Sequence, residues 1–247
     1  MRCAATLLIL CLGLVAWPGT PPRAADAPVR EFTARYKADY HYNAGMLLSA
    51  NMVRRLSRNA DGSYTFTSTM EATGLLALVL SDNIEESSTW ALADGRPRPL
   101  KYQYHHTGRK QGDERHAVLD FDWKKGVVTN RINDDPWTMK VPTGAQDKLL
   151  YQYTLMRDLQ AGRGLFSYDI ADGGELKNFR FERVGTESIV TPLGRLETVK
   201  LQRLHGSRRD VIWCAAAFEY MPVRIEQHKD GRMVTMEILG LEGIPAK

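Results

Sequence analysis

The 247-residue sequence predicts one α+β domain dominated by antiparallel sheet, with about a dozen strands and one or two helices. Three observations predict it. Segment after segment alternates apolar with polar residues, as in half-buried strands. Asp-Gly and similar turn pairs separate those segments at hairpin spacing. Only "AQDKLLYQYTLMRDLQAG" carries a sustained helical stripe.

The chain opens "MRCAATLLILCLGLVAWPG", a short positive start and an apolar run that is brief for a bilayer span. Small residues follow, so residues 1–27 read as a secretory signal peptide, with an uncleaved membrane anchor as the alternative. Ala25-x-Ala27 fits a cleavage site, but Pro28 is a poor first residue for a mature chain, so the site stays open. The remainder, 28–247, is expected to form the single domain. Removal of residues 1–27 takes away Arg2, Arg23 and Asp26 and lowers the formal charge from +4 by one. So mild a balance gives no reason to expect nucleic acid as a partner. Two of the three cysteines leave with it, and Cys214 in "VIWCAAAF" reads as a buried, inert thiol. No later apolar run is long enough to span a membrane.

The elements follow in order. "FTARYKADYHY" places Phe32, Ala34, Tyr36, Ala38, Tyr40 and Tyr42 on one face. "MLLSANMVRRLSRNADGSYTFTSTMEA" is a hairpin around Ala60-Asp61-Gly62, setting Leu56 beside Phe66 and Met52 beside Met70. "TGLLALVLSD" breaks the alternation and reads as a short helix or an apolar lid over residues 74 to 80, Leu76 included. Strands resume around a Gly/Pro turn. "ERHAVLDFDWKKGVVTNRIN" is a hairpin with a predicted Lys125-Gly126 loop, which sets Trp123 by Val128, Leu119 by Ile132, Asp120 against Arg131 and Asp122 against Thr129. The strand before it, 98–107, sets Tyr102 by Leu119 and Tyr104 by Ala117. Lys101, Asp120 and Arg131 then form a charge row on the wet face. The helix is expected over 147–161, with Asp147 as N-cap, Leu149, Leu150, Tyr153, Met156 and Leu159 as its stripe, and Gly162 ending it. Further strands include a hairpin turning at Pro192 and Gly194. In "IEQHKDGRMVTMEI" an Asp230-Gly231 turn sets Lys229 by Arg232, Ile225 by Met236 and Arg224 by Glu237.

Common chemistries find no motif. No nucleotide-binding glycine loop, nucleophile elbow or H-E-x-x-H is present. The hairpin register places His105 opposite His116, with Asp135 next in the row. Two imidazoles and a carboxylate suit zinc or copper; a solvated polar row is the other reading. Asp113, Glu114, Asp120 and Asp122 offer a carboxylate pair for acid–base work, but Asp120 and Asp122 already have cross-strand partners. "GSRRD", with Arg208, Arg209 and Asp210, reads as a solvated turn, or as a contact for a phosphate or headgroup. By parity Tyr36, Tyr40, Tyr42, Phe66, Tyr102, Tyr104, Phe121 and Trp123 point inward, as a packed core or as the lining of an apolar cavity.

Several stretches resemble the bacterial envelope family called domain of unknown function 3108 (DUF3108). They are "YKADYHYNAGMLL", "QDKLLYQYTLMRDLQAG", and above all "TPLGRLETVKL" followed by "IWCAAAFEYMPVRIE". The resemblance implies a secreted or periplasmic half-barrel: one curved antiparallel sheet, of the general kind seen in lipoprotein carriers, with helices covering its concave side. It brings no catalytic residues. The expectation is therefore a non-enzymatic, cofactor-free module holding a lipid or other hydrophobic small molecule. Its ligand face would comprise Tyr36, Tyr40, Tyr42, Phe66, Leu76, Tyr102, Tyr104, Phe121, Trp123 and Tyr153, with 74 to 80 and the helix as lid. An envelope scaffold with a filled core and a protein partner is the alternative.

Overall fold

The computed structural model describes residues 28–41, 47–74, 83–107, 114–132 and 135–247. The expected signal peptide, Tyr42, Leu76 with the rest of the expected lid beyond Gly74, and Asp113 lie outside the described residues. The N-terminal strands are β1 (Phe32–His41), β2 (Leu47–Arg58), β3 (Tyr64–Thr73), β4 (Asn83–Ala93) and β5 (Arg96–Thr107). Next come β6 (Arg115–Asp122), β7 (Val127–Ile132), β8 (Asp135–Lys140), the short β9 (Gln146–Asp147) and helix α1 (Leu150–Gln160). The C-terminal strands are β10 (Phe166–Asp172), β11 (Glu175–Thr191), β12 (Gly194–His205), β13 (Arg208–Ala215), β14 (Met221–Lys229) and β15 (Arg232–Glu242). A 3-10 turn, Ala216–Phe218, joins β13 to β14.

All fifteen strands form one sheet, ordered β8-β7-β6-β5-β4-β3-β2-β1-β15-β14-β13-β12-β11-β10-β9. Two meanders thus run outward from a central β1–β15 pair, as an N-terminal and a C-terminal wing. Every pairing is antiparallel except β9 with β10. Bulges at Arg35/Tyr36, Thr89/Trp90, Arg183/Gly185 and Trp213/Cys214 add local twist. The far ends of the wings meet: a Cβ on Gly174, in the β10–β11 turn, would lie 2.0 Å from the Trp137 ring on β8. With its amide oxygen turned to them, Asn130 accepts from the Gly174 N–H at 3.2 Å and the Trp137 indole at 2.8 Å. The sheet is single, curved and almost wholly antiparallel, as expected, with more strands than expected and one α-helix among the described residues.

Turn chemistry sets most of the register. Asp230 and Gly231 both take positive φ (49° and 73°), and the β14–β15 pairs fall where the Asp-Gly turn predicts. Gly62 (φ 84°) closes the β2–β3 hairpin and leaves Leu56 opposite Phe66. The β6–β7 hairpin corrects the sequence reading. Asp122 pairs with Val127, Phe121 with Val128 and Asp120 with Thr129, so the loop is longer than Lys125-Gly126. The cause is local: the Asp122 carboxylate accepts the N–H groups of Lys124 and Lys125, both at 3.1 Å. Face parity survives, but Arg131 reaches Asp120 diagonally rather than from straight across, and Trp123 sits in the turn.

Helix α1 starts later than expected, yet Asp147 still caps it. Its Oδ1 accepts from the N–H groups of Leu149 (2.9 Å) and Leu150 (2.7 Å) from its place on β9. At the other end Gly162 takes φ 66° and the Arg163 N–H bonds the Asp158 carbonyl. The expected apolar stripe is buried, and so are Thr154, Arg157 and Asp158. A helix buried on both faces lies between layers rather than on a surface. Its polar face is tied down: Asp158 accepts from Tyr168 Oη at 3.0 Å, and Thr154 donates to Gln146 at 2.9 Å.

Candidate functional site

Strand pairing lays the inner face of the N-terminal wing out in rows. The lowest runs Phe32–Leu56–Phe66–Ser88–Tyr102–Leu119, all buried. Helix α1 seals it. The Tyr153 ring lies 6.4 Å from Phe66 and 5.2 Å from Trp90, which stacks on Tyr64 at 4.6 Å. The next row is Ala34–Arg54–Ser68–Glu86–Tyr104–Ala117, and above it runs Tyr36–Met52–Met70–Ile84. Burial fades upward: Met70, Ile84, Tyr104, Tyr40 and Leu48 are only partly covered although they face inward.

The expected ligand face therefore divides. Tyr36, Phe66, Tyr102 and Tyr153 are core side chains. Tyr36 Oη donates to the Pro222 carbonyl at 2.9 Å, and burial pushes its phenol up to about 12, with Arg54 opposing. Tyr40, Tyr104, Phe121 and Trp123 are partly exposed and pack against that core. Tyr40 Oη donates to Met70 Sδ at 3.1 Å. Trp123 donates to the Pro99 carbonyl at 2.6 Å and stacks on Phe121 at 5.6 Å.

Sequence reasoning missed a polar belt across this same face: Arg54, Ser68, Glu86 and Ser88. The signal was available, because setting Leu56 by Phe66 and Met52 by Met70 forces Arg54 inward, opposite Ser68. Glu86 accepts from Tyr102 Oη at 2.5 Å. Ser88 Oγ donates to Asp147 Oδ2 at 2.5 Å, joining β4 to β9. Burial raises the Asp147 carboxyl to about 6, against the pull of its Ser88, Leu150 and Leu149 hydrogen bonds. Lys148 stands 5.7 Å over the Tyr104 ring and pairs with Asp172 at 3.3 Å. Burial alone would raise Asp172, but Lys177 and Lys148 hold it below its ordinary value. Arg54 is the exception. It is 6% exposed, its Nε meets no acceptor, and no described carboxylate forms an ion pair with it. Its guanidinium lies 5.3 Å from the Tyr36 ring centre.

The outer face carries an open polar groove of about 540 Å³ lined by Thr67, Thr69, Glu85, Gln103, His105 and His116, among others. His105 does face His116, as the register predicts, with ring centres 6.0 Å apart. His105 Nε2 lies 3.0 Å from Glu114 Oε1. Asp135 does not continue this row: the longer β6–β7 loop shifts the register of β7, and Asp135 belongs to the next strand, β8, opposite Ile132. Among the described residues, no three His, Cys, Asp or Glu side chains gather as a metal site would require. The "GSRRD" reading is also corrected. Asp210 is buried, and it binds Arg203 Nε and Arg208 Nε, each at 2.8 Å. Cys214 is fully buried and its thiol is pushed well up by burial, which suppresses the reactive thiolate. No described helix is long and apolar enough to cross a membrane.

A family model, that of a protein of unknown function (DUF3108), matches residues 33–238. No curated protein matches the chain. Among solved structures, a β-barrel-like protein of domain of unknown function DUF1849 from Brucella abortus has a TM-score of 0.57 at 10% identity. The match covers 87% of this chain and 98% of that one, and it concerns the fold alone. A domain named for outer membrane lipoprotein sorting, from Vibrio parahaemolyticus, matches at 8% identity, and a DUF1329 family protein from Desulfovibrio piger at 9%. Both cover 89% of this chain and 87% of their own, with a TM-score of 0.24, too low to support any argument.

Proposed function

The chain belongs to the DUF3108 family, and from that premise we propose that it is a non-enzymatic binding module of the cell envelope, secreted or periplasmic, that holds a hydrophobic ligand above α1. One observation carries this reading. The inner face is sealed along its lowest row, yet Met70, Ile84, Tyr104 and Tyr40 remain partly exposed higher on that face. A core that served stability alone would cover such side chains, because each apolar Å² left wet forgoes about 25 cal/mol. The upper inner face is thus the place where a ligand gains apolar contact without displacing α1.

The test is native mass spectrometry of the protein purified from the periplasm, followed by denaturing spectra of the same sample. Added mass that disappears on denaturation and matches a lipid or acyl chain is the expected result. A clean apo mass, unchanged after incubation with total envelope lipid, would overturn the reading.

The scaffold alternative draws on one specific feature. Strand β11 is exposed on both faces over residues 182–188, and Val184 (48% exposed) and Val190 (59%) stand out from it. Cross-linking through a photoreactive group at Val184 would return one defined protein partner if that reading holds, and none if β11 is a solvated ribbon.

A further inference from the structure

We infer that the ligand on the upper inner face is an anionic amphiphile, and that Arg54, with Ser68 opposite it, holds its oxyacid head. This rests on the proposed hydrophobic-ligand reading and names the chemistry of that ligand.

A guanidinium keeps its proton at any physiological pH, so burial cannot be relieved by neutralising it. Such a charge requires an anion or a full set of acceptors. Arg54 has neither: its contacts among the described residues are the ring of Tyr36 and a hydrogen bond with that side chain, which carries no charge, and its Nε is orphaned. Strand pairing excludes the nearest same-row acid. Glu86 stands two strands away, about 10 Å at ordinary strand spacing, and its carboxylate is engaged by Tyr102 Oη at 2.5 Å. Arg203 shows that the same fold can supply a partner when the charge is structural, because Asp210 sits directly across from it.

The surroundings fix the orientation. Below Arg54 the row of Leu56 and Phe66 is closed by Tyr153, so an acyl tail has no room downward. Above it Met52, Met70 and Ile84 offer an apolar track that opens to solvent. The head therefore sits deep, between the Arg54 guanidinium and the Ser68 hydroxyl, and the tail runs toward the mouth. Carboxylate and phosphate heads both match a guanidinium fork.

The experiment is calorimetric titration of the delipidated full-length mature protein with four probes of equal chain length: dodecanoate, dodecyl phosphate, dodecanol and dodecyltrimethylammonium. Wild type is expected to bind an anionic probe at least roughly tenfold more tightly than dodecanol, as a charge-assisted pair implies. The better of dodecanoate and dodecyl phosphate distinguishes a free fatty acid from a phospholipid head. Arg54→Met should erase that preference while keeping dodecanol binding, and Arg54→Lys should restore part of it. Equal affinity for dodecanol and both anions in wild type would overturn the anionic assignment and leave the hydrophobic-ligand reading intact. Failure of all four to bind would overturn both. The wild-type comparison decides the matter even if an Arg54 variant does not fold.

Discussion

Each wing of the sheet buries an arginine on its inner face, and the two are treated differently. Arg203 in the C-terminal wing and Arg54 in the N-terminal wing are both 6% exposed. Arg203 donates to Asp210 from Nε at 2.8 Å and from Nη2 at 2.5 Å, and its guanidinium stacks on Phe179 at 3.8 Å. Arg54 has only Tyr36, whose ring centre lies 5.3 Å away and whose side chain shares a hydrogen bond with it, and no carboxylate among the described residues. Equal burial with unequal compensation separates an arginine that belongs to the fold from one that serves a site. The largest expected effect follows from the compensated pair. Asp210→Ala strands Arg203, and Arg208 loses its own anchor, so unfolding free energy should fall by about 3–5 kcal/mol. Urea denaturation measures it. A loss below about 1 kcal/mol would mean that water reaches Arg203, and the contrast with Arg54 would collapse.

A second effect sits where the wings are tied together. Asp147 on β9 takes a hydrogen bond from Ser88 on β4, and burial raises its carboxyl from 3.8 to about 6. The sign is that of a group which binds its proton more tightly when folded. Its contribution is most favourable below about pH 4, declines as pH rises toward about 6, and is lost above that. The full swing is about 2–3 kcal/mol. Asp147→Asn keeps an oxygen for the helix cap but cannot titrate. The stability difference between wild type and Asp147→Asn should therefore shift in favour of wild type as pH falls from 7.5 to 4.5. A constant difference would show that Asp147 is solvated and leave the inter-strand tie without an electrostatic cost.

Parity was the legible part of this molecule, and local turn chemistry decided where legibility stopped. The Asp230-Gly231 and Ala60-Asp61-Gly62 turns each force a positive φ, so strand register around them follows from the sequence. The β6–β7 loop looked equally simple, but the Asp122 side chain captured two backbone N–H groups and lengthened it. That moved Asp135 out of the His105 row without flipping any face. Helix α1 was legible in type but not in depth. Its apolar stripe does not reveal that Thr154, Arg157 and Asp158 are also enclosed, because burial of the polar side depends on β10 closing over it. The division of the aromatic face was equally unreadable: Tyr102 and Tyr104 alternate identically, yet only Tyr102 is fully buried. Arg54 differs from these cases. Its inward direction is implied by the same register that places Leu56 and Met52.

The smallest expected effect is the one that sharpens the comparison most. Arg54→Met replaces an uncompensated buried charge with an apolar chain of similar length. A paired arginine treated this way leaves its carboxylate stranded, whereas here no described carboxylate loses a partner. The change forfeits the cation–π contact with Tyr36, about 1–2 kcal/mol, and removes a desolvation cost of comparable or greater size. In the delipidated protein the net change should stay within about 1 kcal/mol of wild type, on either side. With an anionic amphiphile bound, the balance reverses: wild type should gain stability by mass action, and Arg54→Met should gain less at the same ligand concentration. Thermal unfolding with and without dodecanoate reads both arms. A loss above about 3 kcal/mol without ligand would assign Arg54 to the fold, as Arg203 is assigned, and the two wings would then differ only in how their cations are held.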